Sequence, residues 1–565
     1  MNPLRLSPAS LHRALGAWRD TLGGEPLHRE LAERLRLLIL DGRLPLGARL
    51  PSERALAEEL GLSRTTVASA YDALRASGHA ASRQGSGTVA TLPGPALIPS
   101  KPLAEAGLVD LSRASLPASR FVPPALRTAA EELPTFLSGT GYDLRGLPHL
   151  RTKIARHYTE RGLPTRPEQV MVTLGAQHAI HLLAAALLRP GDRALVEAPT
   201  YPPAAEALRL AGARLVTTPV VSTGPSLPDD GAPGPGARVA AGGGLAGGPG
   251  KRGVAADATA GLGSATDAGG PTGPTRPTGP TADGWDAEQF AATLRRATPT
   301  LAYLMPVRHN PTGSSMSRAT RAAVLAAARD SGTILVIDET TASLDLSGVG
   351  PGSAFGDDAD AAAAGVVRAS ETPTSPRGLG RRAAASVVHL GSLGKLFWGG
   401  LRVGWIRAEP EIVERCIAAR PAHDLGTPVV EQLAAAHLLE AWDEAVAERA
   451  EQLRASAAAL SRLAAEHLPG WVVPPVEGGL AAWAVLPHAA SSALAIAARE
   501  HGVLIPAGPW FGVDGGAFER FVRIPITVGV DELERAIPAL GAAWAEVSGH
   551  LGVGPAGPGR AVELV

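Results

Sequence analysis

The sequence has almost no cysteine, no long apolar run and no excess of either charge. Its single cysteine, Cys416, excludes an internal disulfide and a metal site built from several cysteines, and such sparing use fits a reducing cytoplasm. No apolar run approaches the length of a membrane span, and residues 1–20 lack the apolar core of a signal peptide. The formal net charge of -1 provides no global basic field that would attract nucleic acid or an anionic membrane. We therefore expect a soluble cytoplasmic protein without a metal or membrane partner, in which any DNA binding comes from local features.

Glycine and proline are abundant and are concentrated in particular segments. The 565 residues include 66 glycines and 49 prolines. Residues 222–284 are mostly Gly, Pro, Ala and Thr, with no aromatic residue, Ile or Met, and residues 348–384 are similar. Such segments bury too little apolar surface to offset their ordering entropy, so both are predicted to be disordered insertions. The predicted organisation is a first unit at 1–90, a linker at 91–108, a second unit at 109–547 that contains both insertions, and a flexible tail at 548–565.

The first unit has the pattern of a helix-turn-helix followed by a β-hairpin. Apolar residues at four-residue spacing predict an amphipathic helix over 27–42. A second helix is predicted to end at Gly61, and Ser63 is a good N-cap for a third. Short strands are predicted at 79–82 and 88–90, on either side of a glycine-containing turn. Two short helices joined by a glycine turn, with a hairpin behind them, indicate a winged DNA-binding module.

Residues 47–67, which read GARLPSERALAEELGLSRTTV, resemble the winged helix-turn-helix of GntR-type bacterial repressors, and the resemblance runs from about 27 to 90. It implies that the helix beginning at Ser63 enters the major groove of double-stranded operator DNA. The residues that it assigns to DNA are Arg49 and Arg54 on phosphates, Ser63, Arg64, Thr65 and Thr66 at the helix start, and Gln84 and Gly85 at the wing tip. Taken alone, Ser-Arg-Thr-Thr at a helix start is far more often only a cap. Residues 25–90 include nine arginines and eight acidic residues, so we expect a modest affinity for non-specific DNA and a requirement for dimerisation.

The second unit alternates strand-like and helix-like runs, which indicates an α/β unit whose ligands bind at the carboxyl ends of its strands. Strands are predicted at 170–174, 194–197, 214–217, 301–305, 333–338 and 387–390, and helices at 176–188, 203–211 and 317–330.

Lys395 follows one of these strands in a Ser392-x-x-Lys turn, and Arg402 comes seven residues later. A lysine amine forms an imine with an aldehyde, while a serine hydroxyl and an arginine fork hold a phosphate. Pyridoxal phosphate requires both groups, so the pattern predicts a site for it. The Ser-x-x-Lys spacing also fits serine β-lactamases, but their companion Ser-Asp-Asn and Lys-Thr-Gly motifs are absent. A phosphate-loop NTPase is excluded because Leu396 occupies the position of the required Ser or Thr.

From about 109 to 547, apart from the two insertions, the chain resembles fold-type I pyridoxal-phosphate aminotransferases, which have a large α/β domain and a smaller C-terminal α/β domain. The resemblance assigns Gly175, Ala176, Gln177, Ser392 and Arg402 to the cofactor phosphate, Tyr201 to ring stacking, Asn310 to the phenolic oxygen, Asp338 to the ring nitrogen and Lys395 to the imine, with Lys395 as the catalytic residue. Tyr142 would be donated to the neighbouring subunit's phosphate, which implies a homodimer. Arg523 would bind the carboxylate of an amino-acid ligand. From local sequence alone, Tyr142 equally fits a turn aromatic, and Arg523 fits a charge at a strand edge.

One position departs from the family pattern. Three residues after the aspartate at 338, such enzymes usually have a tyrosine that bonds the phenolic oxygen, and here Thr341 stands in that place. Threonine is too short to reach this oxygen without a bridging water. We therefore expect Asn310 to hold the oxygen alone, which disfavours fast transamination.

Together the two units resemble the MocR/GabR-type regulators, in which a GntR-type reader is fused to an aminotransferase-like domain. The resemblance predicts a pyridoxal-phosphate-dependent transcriptional regulator that senses the cofactor, or a small amine or amino acid, through the Lys395 imine. A working aminotransferase with an accessory DNA-binding domain is the alternative. A third possibility, in which the second unit serves only for dimerisation, would require a dead cofactor site, and the intact Lys395, Asp338 and Arg402 argue against it. The effector, the operator and the choice between activation and repression stay open at this point.

Overall fold

The structure is a computed structural model that describes residues 6–16, 26–40, 44, 48–83, 87–91, 108–221, 283–346, 355–357, 360, 386–513 and 517–550. Most of the two predicted insertions, nearly all of the predicted linker and tail, and the predicted wing-tip residues Gln84 and Gly85 lie outside these ranges. Residues 283–284, 355–357 and 360 of the predicted insertions are described, and Phe355, Asp357 and Asp360 are buried, so the prediction of disorder is wrong at these three positions. None of the helices within the described ranges is both long enough and apolar enough to cross a membrane.

The described part of the N-terminal unit contains four helices and a two-stranded antiparallel hairpin. They are α1 (Pro8–Leu15), α2 (Leu27–Leu40), α3 (Glu53–Leu60), α4 (Arg64–Ala76), β1 (Ala80–Arg83) and β2 (Gly87–Ala90). As predicted, Gly61 ends α3 in the left-handed conformation, at φ 62°, and the Ser63 side chain accepts a hydrogen bond from the backbone of Thr66 at the start of α4. Helix α1 was not predicted; its buried Leu11 and Leu15 join the apolar core of this unit.

A seven-stranded sheet forms the centre of the second unit, with strand order β4-β10-β9-β8-β7-β5-β6. Its strands are β4 (Val170–Thr173), β5 (Arg193–Ala198), β6 (Arg214–Pro219), β7 (Leu301–Leu304), β8 (Ile334–Asp338), β9 (Val387–Ser392) and β10 (Gly404–Arg407). Strand β10 runs in the opposite direction to the other six strands, which are parallel to one another and have their carboxyl ends at a common edge. The helices of this layer are α5 (Val122–Glu132), α6 (Pro148–Glu160), α7 (Ala176–Leu187), α8 (Pro202–Leu210), α9 (Ala287–Ala297), α10 (Arg318–Ser331), α11 (Pro410–Ala419) and α12 (Val429–Leu438).

A smaller C-terminal α/β layer completes the second unit. It contains α13 (Trp442–His467), β11 (Ala481–Val485), α14 (Ser491–Glu500), β12 (Val503–Leu504), β13 (Phe521–Pro525) and α15 (Val530–His550). Strands β11 and β13 pair antiparallel, and β12 pairs in parallel with β3 (Val109–Asp110). The predicted fold is thereby confirmed: a winged helix-turn-helix joined to a large and a small α/β domain.

Candidate cofactor pocket and DNA-reading helix

The cofactor residues predicted from the sequence surround one cavity of about 180 Å³ at the carboxyl edge of the large sheet. Those that line it are Gly175, Ala176, Gln177, Tyr201, Asn310, Asp338, Ser392, Lys395 and Arg402. They lie at the carboxyl ends of β4, β5, β7, β8 and β9 or in the segments that follow these strands. The parallel strands thus bring together residues that are up to 227 positions apart in the sequence, from Gly175 to Arg402.

Lys395 lies in this cavity with an amine suited to nucleophilic attack. Its Nζ donates a hydrogen bond to the backbone oxygen of Ala114 at 2.8 Å. Burial lowers the pKa of the Lys395 amine to about 8, Arg523 adds to the lowering, and Asp338 opposes it. Near neutral pH more of this amine is therefore neutral than in an ordinary lysine, and the neutral amine is the form that attacks an aldehyde.

Asp338 ends β8 with its carboxylate buried and hydrogen-bonded at both oxygens. Its Oδ1 accepts from the Thr340 hydroxyl at 2.6 Å and the Thr340 backbone N–H at 3.0 Å, and its Oδ2 accepts from the Tyr303 hydroxyl at 2.6 Å. Burial raises the pKa of Asp338, and the hydrogen bonds from Thr340 and Tyr303 oppose that rise. Sequence reasoning missed Tyr303, although a polar phenol inside a buried strand next to β8 was a signal for it.

The start of α7 provides an anion cradle. The helix has no side-chain cap, and Gly175 precedes it at φ 86°, so its first backbone N–H groups are free to bind a phosphate. A Cβ atom at Gly175 would lie 3.1 Å from Nη2 of Arg402, so the guanidinium occupies the space that a side chain would fill. The Ser392 hydroxyl lines the same cavity and donates to the Val403 backbone oxygen at 3.2 Å. An uncapped helix start, an arginine and a serine fit a phosphate monoester.

Arg523, on the small domain, lies beside the cavity through its contact with Asn310, although it is not among the residues that line the cavity. It is 7% exposed on β13, its Nη1 lies 3.4 Å from Oδ1 of Asn310, and its Nη2 donates to the backbone oxygen of Ser112 at 2.6 Å. Burial lowers the pKa of Arg523 to about 10, and the buried Nε atom has no hydrogen-bond partner among the described residues. A guanidinium in this position, with an unsatisfied donor, suits a ligand carboxylate.

A buried carboxylate that sequence reasoning did not single out supports the Asn310 turn. Glu197, at the end of β5, accepts from Trp285 Nε1 at 2.9 Å and from the Met305 backbone N–H at 2.8 Å. Its other close neighbour is Nε2 of His309 at 3.3 Å. Glu197 therefore ties the end of β5 to the turn that carries Asn310.

Thr341 and Tyr142 differ from the cofactor residues described so far, each in a different way. The Thr341 hydroxyl lines the cavity, but it donates to the backbone oxygen of Val307 at 3.1 Å, so it is already engaged. Tyr142 is 72% exposed and is not among the residues that line the cavity of this single chain.

The start of α4 presents the predicted DNA-reading residues. The Arg64 side chain is 75% exposed, and its Nε lies 3.6 Å from Oε2 of Glu53. The hydroxyls of Thr65 and Thr66 each lie 2.7 Å from Oγ of Ser63, so the cap also orders these two side chains. Arg54 is exposed on α3.

The predicted phosphate contact Arg49 packs against the hairpin. A Cβ at Gly87 would lie 3.1 Å from its Nε, so the Arg49 side chain lies directly over the base of the wing. Arg49 therefore lies next to the hairpin that is predicted to contact DNA.

A buried ion pair joins the N-terminal unit to the small domain. Nη2 of Arg34, on α2, lies 2.6 Å from Oε1 of Glu519, and the two side chains are 7% and 10% exposed. Glu519 also accepts from the hydroxyls of Ser491 and Ser492 and from the Ser492 backbone N–H, at 2.7–3.1 Å. The sequence did not predict this contact, and Glu519 lies four residues before Arg523.

Comparison with known proteins agrees with this architecture. Residues 27–89 match the gntR family of bacterial regulatory proteins, and residues 112–226 and 280–540 match aminotransferase class I and II. The chain is 39% identical over 237 residues to the probable rhizopine catabolism regulatory protein MocR of Rhizobium meliloti, which covers 37% of this chain and 48% of that protein. It is 32% identical over 213 residues to the pyridoxine biosynthesis transcriptional regulator PdxR of Corynebacterium glutamicum, covering 34% of this chain and 44% of the regulator. The alignments thus span about half of each regulator's length.

Among solved structures, the α-aminoadipate aminotransferase LysN of Thermus thermophilus is similar with a TM-score of 0.59 at 23% identity, covering 80% of this chain and 96% of LysN. At that identity the likeness establishes the fold alone. The family matches, by contrast, extend over most of the sequence. The chain therefore belongs to the aminotransferase class I and II family and carries a gntR-family domain ahead of it, which is the domain combination of MocR-type regulators.

Proposed function

We propose that this protein is a DNA-binding transcriptional regulator whose aminotransferase-like domain binds pyridoxal phosphate and an amino-group ligand. The observation that carries the proposal is the buried contact between Arg34 and Glu519. It couples a DNA-reading unit directly to the segment that bears Arg523, the candidate ligand-binding residue. An enzyme with a merely appended DNA-binding unit has no need for such a contact.

The cavity residues fit the cofactor chemically. Pyridoxal phosphate, when bound, supplies an aldehyde that condenses with amines and a ring that withdraws electrons. Lys395 would offer its amine to the aldehyde, and Asp338 would hold the proton on the ring nitrogen. The uncapped start of α7, with Ser392 and Arg402, would bind the phosphate.

The effector class follows from the same cavity. An incoming ligand must carry an amine to compete with Lys395, and Arg523 offers a donor pair that suits a carboxylate. An amino acid or a related amine with one carboxylate satisfies both requirements. Arg523 would exchange its present hydrogen bonds to Asn310 and Ser112 for bonds to that carboxylate.

Ligand binding would reach the DNA-binding unit through one short segment. Glu519 and Arg523 are four residues apart, and Glu519 holds Arg34 of α2. A ligand that favours a different position of β13 would change the relative stability of the docked and released arrangements of the DNA-binding unit. The change depends on a difference in ligand affinity between the two arrangements.

We also propose a homodimer. Leu137, Tyr142 and Leu425 expose 68%, 72% and 51% of their surface, and the backbones of Asp143 and Gly426 pair in a β-bridge beside them. Large apolar side chains that are exposed in a single chain favour an interaction surface. A second copy on this surface would place its DNA-reading helix at a fixed distance from the first, as paired half-sites require.

Catalysis remains the second candidate function because Lys395 and Asp338 share the cavity as they would in a working enzyme. The engaged Thr341 hydroxyl weakens this candidate, since Asn310 is left as the single predicted partner of the phenolic oxygen. We expect at most slow transamination.

Fluorescence anisotropy of the full chain on DNA from upstream of its own gene tests the proposal. DNA affinity is measured without cofactor, with pyridoxal phosphate, and with pyridoxal phosphate plus each member of an amine panel, alongside a keto-acid transamination assay. A change in affinity that disappears in Lys395→Ala supports the regulator. Rapid turnover combined with DNA affinity that neither cofactor nor amine alters contradicts it.

A further inference from the structure

A buried hydrogen bond connects two neighbouring strands beneath the cofactor cavity. Tyr303 on β7 is 1% exposed, Asp338 at the end of β8 is 3% exposed, and the phenol oxygen lies 2.6 Å from Oδ2 of the aspartate. The strands are parallel, with Tyr303 opposite Val336, so Asp338 lies two residues further toward the cavity. The tyrosine side chain therefore extends along the strand direction and reaches the carboxylate from below.

The two carboxylate oxygens differ in their donors. Oδ1 accepts from both the hydroxyl and the backbone N–H of Thr340, whereas the described donor to Oδ2 is the Tyr303 hydroxyl. Burial, together with the nearby Asp338, raises the pKa of Tyr303 well above its usual value of 10. The phenol consequently keeps its proton, and the direction of donation is fixed toward the carboxylate.

Loss of this donor would change the charge state of Asp338 more readily than its position. Burial raises the pKa of Asp338, and the hydrogen bonds from Thr340 and Tyr303 counter that rise. An aspartate that becomes neutral can no longer stabilise a protonated ring nitrogen. The ring would then withdraw electrons less strongly, and the cofactor would lose an ion-pair partner.

We propose that Tyr303 is a positioning residue that keeps Asp338 ionised and aimed at the ring nitrogen of bound pyridoxal phosphate. The inference rests on the proposed cofactor site and adds to it a residue outside the set of cavity-lining side chains. Tyr303 acts through Asp338 and does not itself meet the cofactor. Loss of the Tyr303 hydroxyl should therefore weaken the contact between Asp338 and the ring nitrogen specifically, and this effect can be distinguished from a general loss of packing.

The chain offers a matched control in Tyr158. Its side chain is also 1% exposed, and its hydroxyl donates to Oε2 of Glu339 at 3.1 Å, one residue beyond Asp338. Glu339 does not line the cofactor cavity. Because the Tyr158 hydroxyl also accepts from Trp405 Nε1 at 3.1 Å, its removal disturbs the fold at least as much as removal of the Tyr303 hydroxyl.

A double-mutant cycle between the protein and the cofactor tests the proposal. Dissociation constants of the full-length apo protein are measured for pyridoxal phosphate and for its 1-deaza analogue, which has carbon in place of the ring nitrogen. The wild type, Tyr303→Phe and Tyr158→Phe are compared. We expect the wild type to prefer the natural cofactor, Tyr303→Phe to lose about tenfold of that preference, and Tyr158→Phe to retain it.

Each result has a distinct meaning. An unchanged preference in Tyr303→Phe overturns the role of Tyr303 while leaving the cofactor site intact. A wild type that binds neither compound overturns the cofactor site and the inference with it, whereas a wild type that binds both equally overturns the inference alone. Infrared titration of the apo proteins gives a second measurement that does not depend on cofactor binding. The band of a protonated carboxylic acid should appear at higher pH in Tyr303→Phe than in the wild type or Tyr158→Phe, and coincident titrations would refute the proposal.

Discussion

The contact between Arg34 and Glu519 gives the sharpest test of how the two parts of the chain are joined. The perturbation is Arg34→Met, which keeps an unbranched apolar stem and removes the charge. Both side chains of the pair are at most 10% exposed, and their closest atoms are 2.6 Å apart. Breaking a buried pair by removing one partner costs about 3–5 kcal/mol, because a charge is left uncompensated.

The structure indicates that the free-energy cost of removing Arg34 lies at the lower end of that range. Glu519 keeps three donors from Ser491 and Ser492 when Arg34 is lost, so its carboxylate stays partly satisfied. The variant also loses the bond from Arg34 Nε to the backbone oxygen of Leu15. We therefore expect Arg34→Met to lower the free energy of unfolding by about 3 kcal/mol, with most of the loss coupled to Glu519.

Equilibrium denaturation of the wild type, Arg34→Met, Glu519→Gln and the double variant gives the coupling energy. Arg36→Met is the matched control: it lies on the same helix, and its guanidinium pairs with Glu33 three residues away. That local pair is 27% exposed on each side, so it should contribute about 0–1 kcal/mol and show no coupling to Glu519. A coupling energy near zero for Arg34 and Glu519 would refute the docking argument. If docking carries the signal, Arg34→Met should also bind DNA with an affinity that no longer responds to cofactor and amine.

The remaining predictions concern the amine, the reader and the core. Since the pKa of Lys395 is lowered to about 8, the rate of pyridoxal phosphate capture should rise as the pH rises through about 8. Capture is followed by absorbance and by borohydride trapping on the peptide that contains residue 395. A rate that rises only near pH 10.5, the ordinary pKa of lysine, would contradict this prediction. Arg64→Ala should weaken specific DNA binding by about 1–3 kcal/mol and relax the sequence preference at one base pair, so an equal loss on all sequences would argue for a phosphate contact instead. Gly391→Ala should destabilise the fold by about 1–3 kcal/mol or more, because a Cβ there would lie 2.1 Å from the buried ring of Trp405. Gly139→Ala is its control, since the nearest atom to a Cβ there is 3.6 Å away, and equal denaturation midpoints for the two variants would be inconsistent with this steric argument.

Local chemistry made much of the fold predictable. Ser63 and Gly61 mark helix boundaries through interactions within a few residues, and the structure has both as predicted. The strand predicted over 333–338 is observed over Ile334–Asp338, because a run of apolar residues between polar turns suits a fully buried strand. Helix α2 is described over Leu27–Leu40, and the last two residues of its predicted range, 41 and 42, lie outside the described residues. Strand β10 was not predicted, since four residues carry too weak a periodic signal by themselves.

The sequence by itself determined the chemistry available at the candidate site, because the types and order of Lys395, Asp338 and Arg402 are properties of the chain. The tertiary structure decided which further groups meet them. Tyr303 reaches Asp338 only because β7 and β8 are adjacent, parallel and in one particular register, and Arg34 meets Glu519 across 485 positions of sequence. Local periodicity fixes which face of an element is buried but not which element lies beside it. Contacts between distant residues follow from strand order, register and domain docking, which are set by the packing of the whole chain.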